Sequence, residues 1–113
     1  MKKVIISDAT LRDGSHAISH KLTKEHIEIY AKAADAAGIP IVEVGHGNGL
    51  GASSLQVGLS LLDDIEMLEI ARNNLSQSKL GIHVIPGFAT IKRDLAKAFE
   101  ICVDIVRVAS HCT

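Results

Sequence analysis

The chain has 113 residues, 47 % of them hydrophobic, with 12 Lys+Arg against 13 Asp+Glu. Near-neutral charge without a basic stripe, and aromatics at only 3 %, argue against nucleic-acid binding through phosphate contacts and base stacking. No apolar run approaches the roughly 18 residues of a membrane span, and Val4-Ile5-Ile6 behind Lys2-Lys3 is too short for a signal-peptide core, so a cytoplasmic location is expected.

The first β-branched run, Val4-Ile5-Ile6, predicts a strand, followed by a polar loop from Ser7 to His16. The next segment has helical periodicity, with Ile27, Tyr30, Ala31, Ala34 and Ala37 on one stripe. Thr23 is its expected N-cap, Leu22 and Ile27 can staple across that cap, and Gly38 fits a left-handed terminus before Pro40. A second strand is expected at Ile41-Val42-Glu43-Val44, then a long Gly-rich loop over 45–58. A second helix is capped by Asp63, with Glu66 at capping-box spacing and Ile65, Leu68, Arg72 and Leu75 on one side. Leu80 to Ile85 predicts the third strand. A helix from Thr90 is expected to bury Ile91, Leu95, Ala98, Phe99 and Cys102, and Ile105-Val106-Arg107-Val108 is the fourth strand. Cys102 and Cys112 are too few for a disulfide framework and are expected to be buried free thiols.

The order βαβαβαβ implies right-handed crossovers and a parallel α/β sheet, doubly wound or curled into a barrel. Polar residues gather just after each strand, at Ser7 to His16, Gly45 to Ser54, Pro86-Gly87 and Ser110-His111-Cys112. That placement favours a (β/α)₈ barrel, whose catalytic face lies at those positions. A closed barrel takes about 250 residues, so residues 1–113 are expected to supply the first half of a TIM barrel as one incomplete domain.

The densest group of reactive side chains is Ser7-Asp8-Ala9-Thr10-Leu11-Arg12-Asp13-Gly14-Ser15-His16. A carboxylate such as Asp13 can bind a divalent cation. Arg12 can hold a substrate carboxylate or steady an enolate, and the His16 imidazole can move a proton near neutral pH. A structural Asp-Arg ion pair and a solvated loop histidine would leave the same trace, and residue types alone leave both readings open.

Asp8-Ala9-Thr10-Leu11-Arg12-Asp13-Gly14 resembles the signature that opens the barrel in the superfamily of isopropylmalate synthase, HMG-CoA lyase and 4-hydroxy-2-oxovalerate aldolase. Ser15-His16 is similar to the aldolase branch, because the isopropylmalate and homocitrate synthases typically carry Gln at the position of His16. Val44 to Ser54 resembles that branch's second-strand loop, which usually has Asp in place of Asn48, and Val106 to Thr113 resembles its fourth strand. The resemblance implies a metal-dependent lyase that cleaves 4-hydroxy-2-oxovalerate to pyruvate and acetaldehyde in aromatic hydrocarbon catabolism. It implies Asp13 as a ligand of Mn²⁺ that also meets the 2-oxo acid substrate, Arg12 as the enolate-stabilising cation, and His16 as the base for the C4 hydroxyl. It further implies an acylating acetaldehyde dehydrogenase as partner. The family's later His-x-His metal ligands and its acid tyrosine have no counterpart here, since Tyr30 is the sole tyrosine and falls on a helix stripe. Weak metal binding and negligible activity are therefore expected of these residues alone. A Claisen-type relative, with His16 as the discriminating residue, and a non-catalytic half-barrel assembly module are the alternatives. The edge strand at Ile105–Val108 invites self-association, although truncation is the favoured account of the missing half.

The remaining signals are weaker. Gly45, Gly47, Gly49 and Gly51 match neither the dinucleotide nor the P-loop spacing. His46 lines the site or makes a structural hydrogen bond, and His111 stands at a strand end where the barrel favours function. His83 reads as a satisfied core or wall residue, and His20 and His26 as solvent-facing. Asp8 is placed to orient Arg12 or His16.

Overall fold

The computed structural model describes residues 3–110. Four strands, β1 (Ser7–Asp8), β2 (Ile41–Glu43), β3 (Lys79–Val84) and β4 (Ile105–Val108), alternate with α1 (Lys24–Ala36), α2 (Asp64–Asn74) and α3 (Ala96–Glu100). The sheet is wholly parallel in the order β1-β2-β3-β4. A doubly wound sheet would reverse direction at a switch point. Consecutive order with right-handed crossovers instead puts every helix on one face, the arrangement of the first half of a (β/α)₈ barrel.

Register assigns the faces. Val42 pairs with Leu80, and Ile82 with Val106, and these side chains meet the helices. Ile27, Ala31, Met67, Leu68, Ala71 and Ala98 complete that core. Glu43, Gly81, His83 and Arg107 alternate with them and face the opposite side, the interior of a closed barrel.

Local signals produced most of the helix ends. The Thr23 hydroxyl accepts from the His26 amide while His26 Nδ1 accepts from the Thr23 amide, a reciprocal box in which histidine takes the usual place of Glu or Gln. Gly38 adopts φ 77°, the left-handed conformation expected of it. Asp63 and Thr90 both accept from the amide three residues on. The Asp35 carboxylate, past the middle of α1, gathers the backbone amides of Ser76, Gln77 and Ser78 and so ties α1 to the loop entering β3.

Three expectations are corrected. The first strand is Ser7–Asp8, and Val4, Ile5 and Ile6 are exposed. Pairing with β2 begins at Ser7 opposite Ile41, so Val4, Ile5 and Ile6 precede the ladder and stay in solvent. The third helix buries only Ala98 fully, with Leu95 half-buried and Ile91, Phe99 and Cys102 exposed. Its first turn, Ile91–Leu95, is a π-turn, and the extra residue in that turn breaks the stripe that regular α-spacing would align. Cys102 takes a left-handed φ of 66° just past the helix end, which carries its side chain out of the core. Cys112 and His111 lie outside the described residues. No helix among those residues is long and apolar enough to cross a membrane.

Candidate functional site at the strand ends

The segment after β1 is folded tightly by its own short-range bonds. Asp8 Oδ1 accepts from the Thr10 amide at 2.8 Å, and Ala9 O accepts from the Arg12 and Gly14 amides. Leu11 is buried as the anchor, and Asp13–Ile18 then make a 3₁₀ helix that ends at left-handed Ser19. The result presents Arg12, Asp13 and His16 together at the C-terminal end of β1.

Arg12 is buried, and its Nε donates to Glu43 Oε1 at 2.6 Å while Nη1 donates to Gly47 O at 3.0 Å and Asp13 Oδ1 at 3.3 Å. Glu43, 2 % exposed, also takes a paired contact from Arg107 Nε and Nη2, each at 3.0 Å. Burial opposes ionisation of Glu43, but hydrogen bonds and charge from Arg107 and Arg12 outweigh it and hold its pKa below the usual value. The same pairing raises the Arg107 pKa further. Glu43 is thus an anion clamped between two cations, one of which is the site arginine.

Asp13 is 69 % exposed and lies 4.0 Å from His16 Nε2. His16 is exposed but rests against Gly47 so closely that a Cβ added there would lie 2.4 Å from Nε2. His16 meets the ring of His20 edge-on at 4.8 Å between centroids, and His20 stacks on His46 at 3.7 Å and 11°. His46 is fully buried, with Nδ1 accepting from the Asn48 amide at 3.0 Å and Nε2 bonded to Gly58 O at 2.8 Å.

The structure therefore brings Arg12, Asp13 and His16 together, and Asp8 and His46 make their hydrogen bonds to other groups. Both ring nitrogens of His46 bond backbone groups of the long loop, the Asn48 amide and Gly58 O. Among the described residues Asp8 bonds neither Arg12 nor His16: it accepts from Tyr30 Oη at 2.5 Å and from Thr10, bonds that outweigh burial and lower its pKa. Tyr30 accordingly stands half-buried with its hydroxyl engaged. His20 is buried instead of solvent-facing, because the loop over 45–58 folds across it. His83 is buried but not satisfied, since Nδ1 has no partner among the described residues, and burial with the nearby Arg12 and Arg107 lowers its pKa.

Glu43, Arg107 and His20 were missed by sequence reasoning. A lone carboxylate in Ile41-Val42-Glu43-Val44 and a lone guanidinium in Ile105-Val106-Arg107-Val108 were available signals, because a charge in a buried strand demands a partner. His20 carried no such signal.

Among the described residues no three His, Cys, Asp or Glu side chains converge as a metal-binding group. Asp13 with one neighbouring imidazole falls short of a two-His, one-carboxylate set, so these residues by themselves do not fit a resident divalent ion.

Taken together, the chain is a parallel barrel sector carrying a guanidinium, a carboxylate and an imidazole on the rim where such barrels do their chemistry. Its residues 3–113 match the HMGL-like family, and the chain belongs to that family, one of enzymes. It is 57 % identical over 112 residues to a 4-hydroxy-2-oxovalerate aldolase of Pectobacterium atrosepticum, covering 99 % of this chain and 33 % of the relative. It is 63 % identical over 110 residues to one of Spirochaeta aurantia, covering 97 % of this chain and 32 % of that protein. The corresponding protein of Burkholderia thailandensis is 59 % identical over 110 residues, 97 % of this chain and 31 % of its own length. The chain spans about a third of the length of these curated relatives.

Proposed function

We propose that residues 3–110 form the first half of the barrel of a 4-hydroxy-2-oxo-acid aldolase, with Arg12 and His16 as its cation and base. The observation that carries this reading is the convergence of Arg12 and His16 on Asp13, at 3.3 and 4.0 Å, at the end of β1. The His16 imidazole takes the proton of the C4 hydroxyl. The electron pair of that O–H bond then forms the aldehyde C=O, and the C3–C4 pair moves to C2–C3 to give the pyruvate enolate. Arg12, held in one orientation by Glu43 and Gly47, hydrogen-bonds the developing enolate oxygen or the substrate carboxylate. Protonation at C3 completes pyruvate, and with 4-hydroxy-2-oxovalerate the aldehyde is acetaldehyde, which would pass to an acylating aldehyde dehydrogenase.

Asp13 offers one carboxylate toward a divalent cation, Mn²⁺ being the ion the resemblance implies, and no described residue adds a full set of ligands beside it. Turnover by the 113-residue chain alone is accordingly expected to be negligible. The test is pyruvate release from 4-hydroxy-2-oxovalerate with added Mn²⁺, for the chain alone and joined to the remaining two thirds of a relative. Activity in the joined protein that His16→Ala abolishes supports the assignment. Undiminished activity in that variant refutes His16 as the base, and tight stoichiometric Mn²⁺ binding by the chain alone refutes the incomplete site.

A further inference from the structure

Three hydrogen bonds and one close packing contact form a circuit around Arg12. Arg12 Nη1 donates to Gly47 O at 3.0 Å, and the Gly47 amide donates to His20 Nδ1 at 3.3 Å. His20 Nδ1 lies 3.2 Å from Ser15 Oγ, and Ser15 Oγ donates to Arg12 O at 2.7 Å. The circuit joins the turn after β1 to the loop after β2, segments about thirty residues apart. Ser15 and His20 supply its side chains from outside the signature of Asp8 to Gly14, and every member except Gly47 lies in the segment from Arg12 to His20.

The acceptor role of Nδ1 fixes the chemistry of the His20 ring. A nitrogen that receives the Gly47 N–H cannot itself carry a proton, so His20 is the neutral tautomer with its proton on Nε2. The same argument holds for His46, whose Nδ1 receives the Asn48 amide and whose Nε2 must therefore donate to Gly58 O. Burial lowers the His20 pKa, an effect that any protonation of the neighbouring imidazoles would add to, and so favours that neutral form. The stacked rings then form a wall, and His16 rests edge-on against it with the Gly47 backbone beneath.

We propose that His20 is a positioning residue, whose Nδ1 accepts the Gly47 amide and so fixes the stretch of backbone that holds Arg12 and lies against His16. It touches no reacting atom. Its role in catalysis rests on the reading of Arg12 and His16 above, whereas its role in geometry does not.

Two substitutions separate the acceptor from the ring. His20→Asn keeps an oxygen close to the place of Nδ1 and removes the aromatic face, and His20→Phe does the reverse. In the 113-residue chain the Gly47 amide should exchange with solvent roughly tenfold faster in His20→Phe than in the parent, the loss of about one hydrogen bond, and His20→Asn should restore most of the protection. Equal exchange in the parent and in His20→Phe would overturn the proposal. Should His20→Phe fail to fold, imidazole ¹⁵N shifts of the unsubstituted chain decide, with a proton on Nε2 of His20 expected and a proton on Nδ1 overturning it. In the joined protein, kcat for pyruvate release should fall in His20→Phe and recover in His20→Asn with KM little changed. Absence of turnover in the unsubstituted joined protein would count against the aldolase reading alone, because the exchange and tautomer results stand without it.

Discussion

Removing the Glu43 carboxylate would leave two guanidiniums facing a neutral gap, and the two differ in where they can go. Arg12 is 8 % exposed and is held further by Gly47 O and Asp13, so it cannot easily turn to water. Breaking a buried pair from one side costs about 3–5 kcal/mol, most of it the stranded partner charge. Against a total stability of roughly 6–17 kcal/mol for a chain of 113 residues, Glu43→Ala should shift the urea midpoint strongly. Glu43→Gln retains one carbonyl acceptor and should cost less, about 1.5–3 kcal/mol, the worth of a charge-assisted hydrogen bond. Arg107 makes two bonds to the same carboxylate, yet its side chain is 48 % exposed. Arg107→Gln should therefore cost no more than about 1 kcal/mol, as exposed pairs do. The assay is equilibrium urea unfolding followed by far-UV circular dichroism. A Glu43→Ala cost below that of Arg107→Gln would refute the argument, since it would mean that Arg12 finds water as readily as Arg107 does.

Gly47→Ala should leave the fold intact while moving the His16 ring, because the new Cβ would meet the far end of a half-exposed side chain; an unchanged His16–His20 ring contact in nuclear Overhauser spectra would contradict this. Asp35 has its pKa lowered from 3.8 to about 2 by the amides of Ser78 and Gln77. A depressed carboxylate stabilises the fold fully above its unfolded value and loses that contribution as pH falls through the folded one. The parent chain should therefore lose stability faster than Asp35→Asn as pH drops from 3.8 toward 2, and parallel stability curves would argue against the anchor.

The local sequence settled whatever could be settled within a few residues. Thr23, Asp63 and Thr90 cap their helices because a short side-chain oxygen reaches an amide three residues on, whatever the rest of the molecule does. The alternation of β-branched runs with helical stripes fixed the parallel βα order. The run from Asp8 to His16 put cation, carboxylate and imidazole on one turn, so their convergence was legible before any strand paired. Strand register was not legible, and it decided the rest. Only the parallel pairing of β2, β3 and β4 sets Glu43 within reach of Arg107, 64 positions away, and so shows what holds Arg12. Only the fold of the loop over 45–58 across the first turn buries His20 and stacks it on His46. Sequence periodicity also assumed a regular helix from Thr90, and the π-turn there takes Ile91 off the stripe that Leu95 and Ala98 keep. Charges and hydrogen bonds that act over 3–4 Å are blind to sequence distance. The chain alone could therefore name the site's reactive groups, while the tertiary structure chose the partners that hold them.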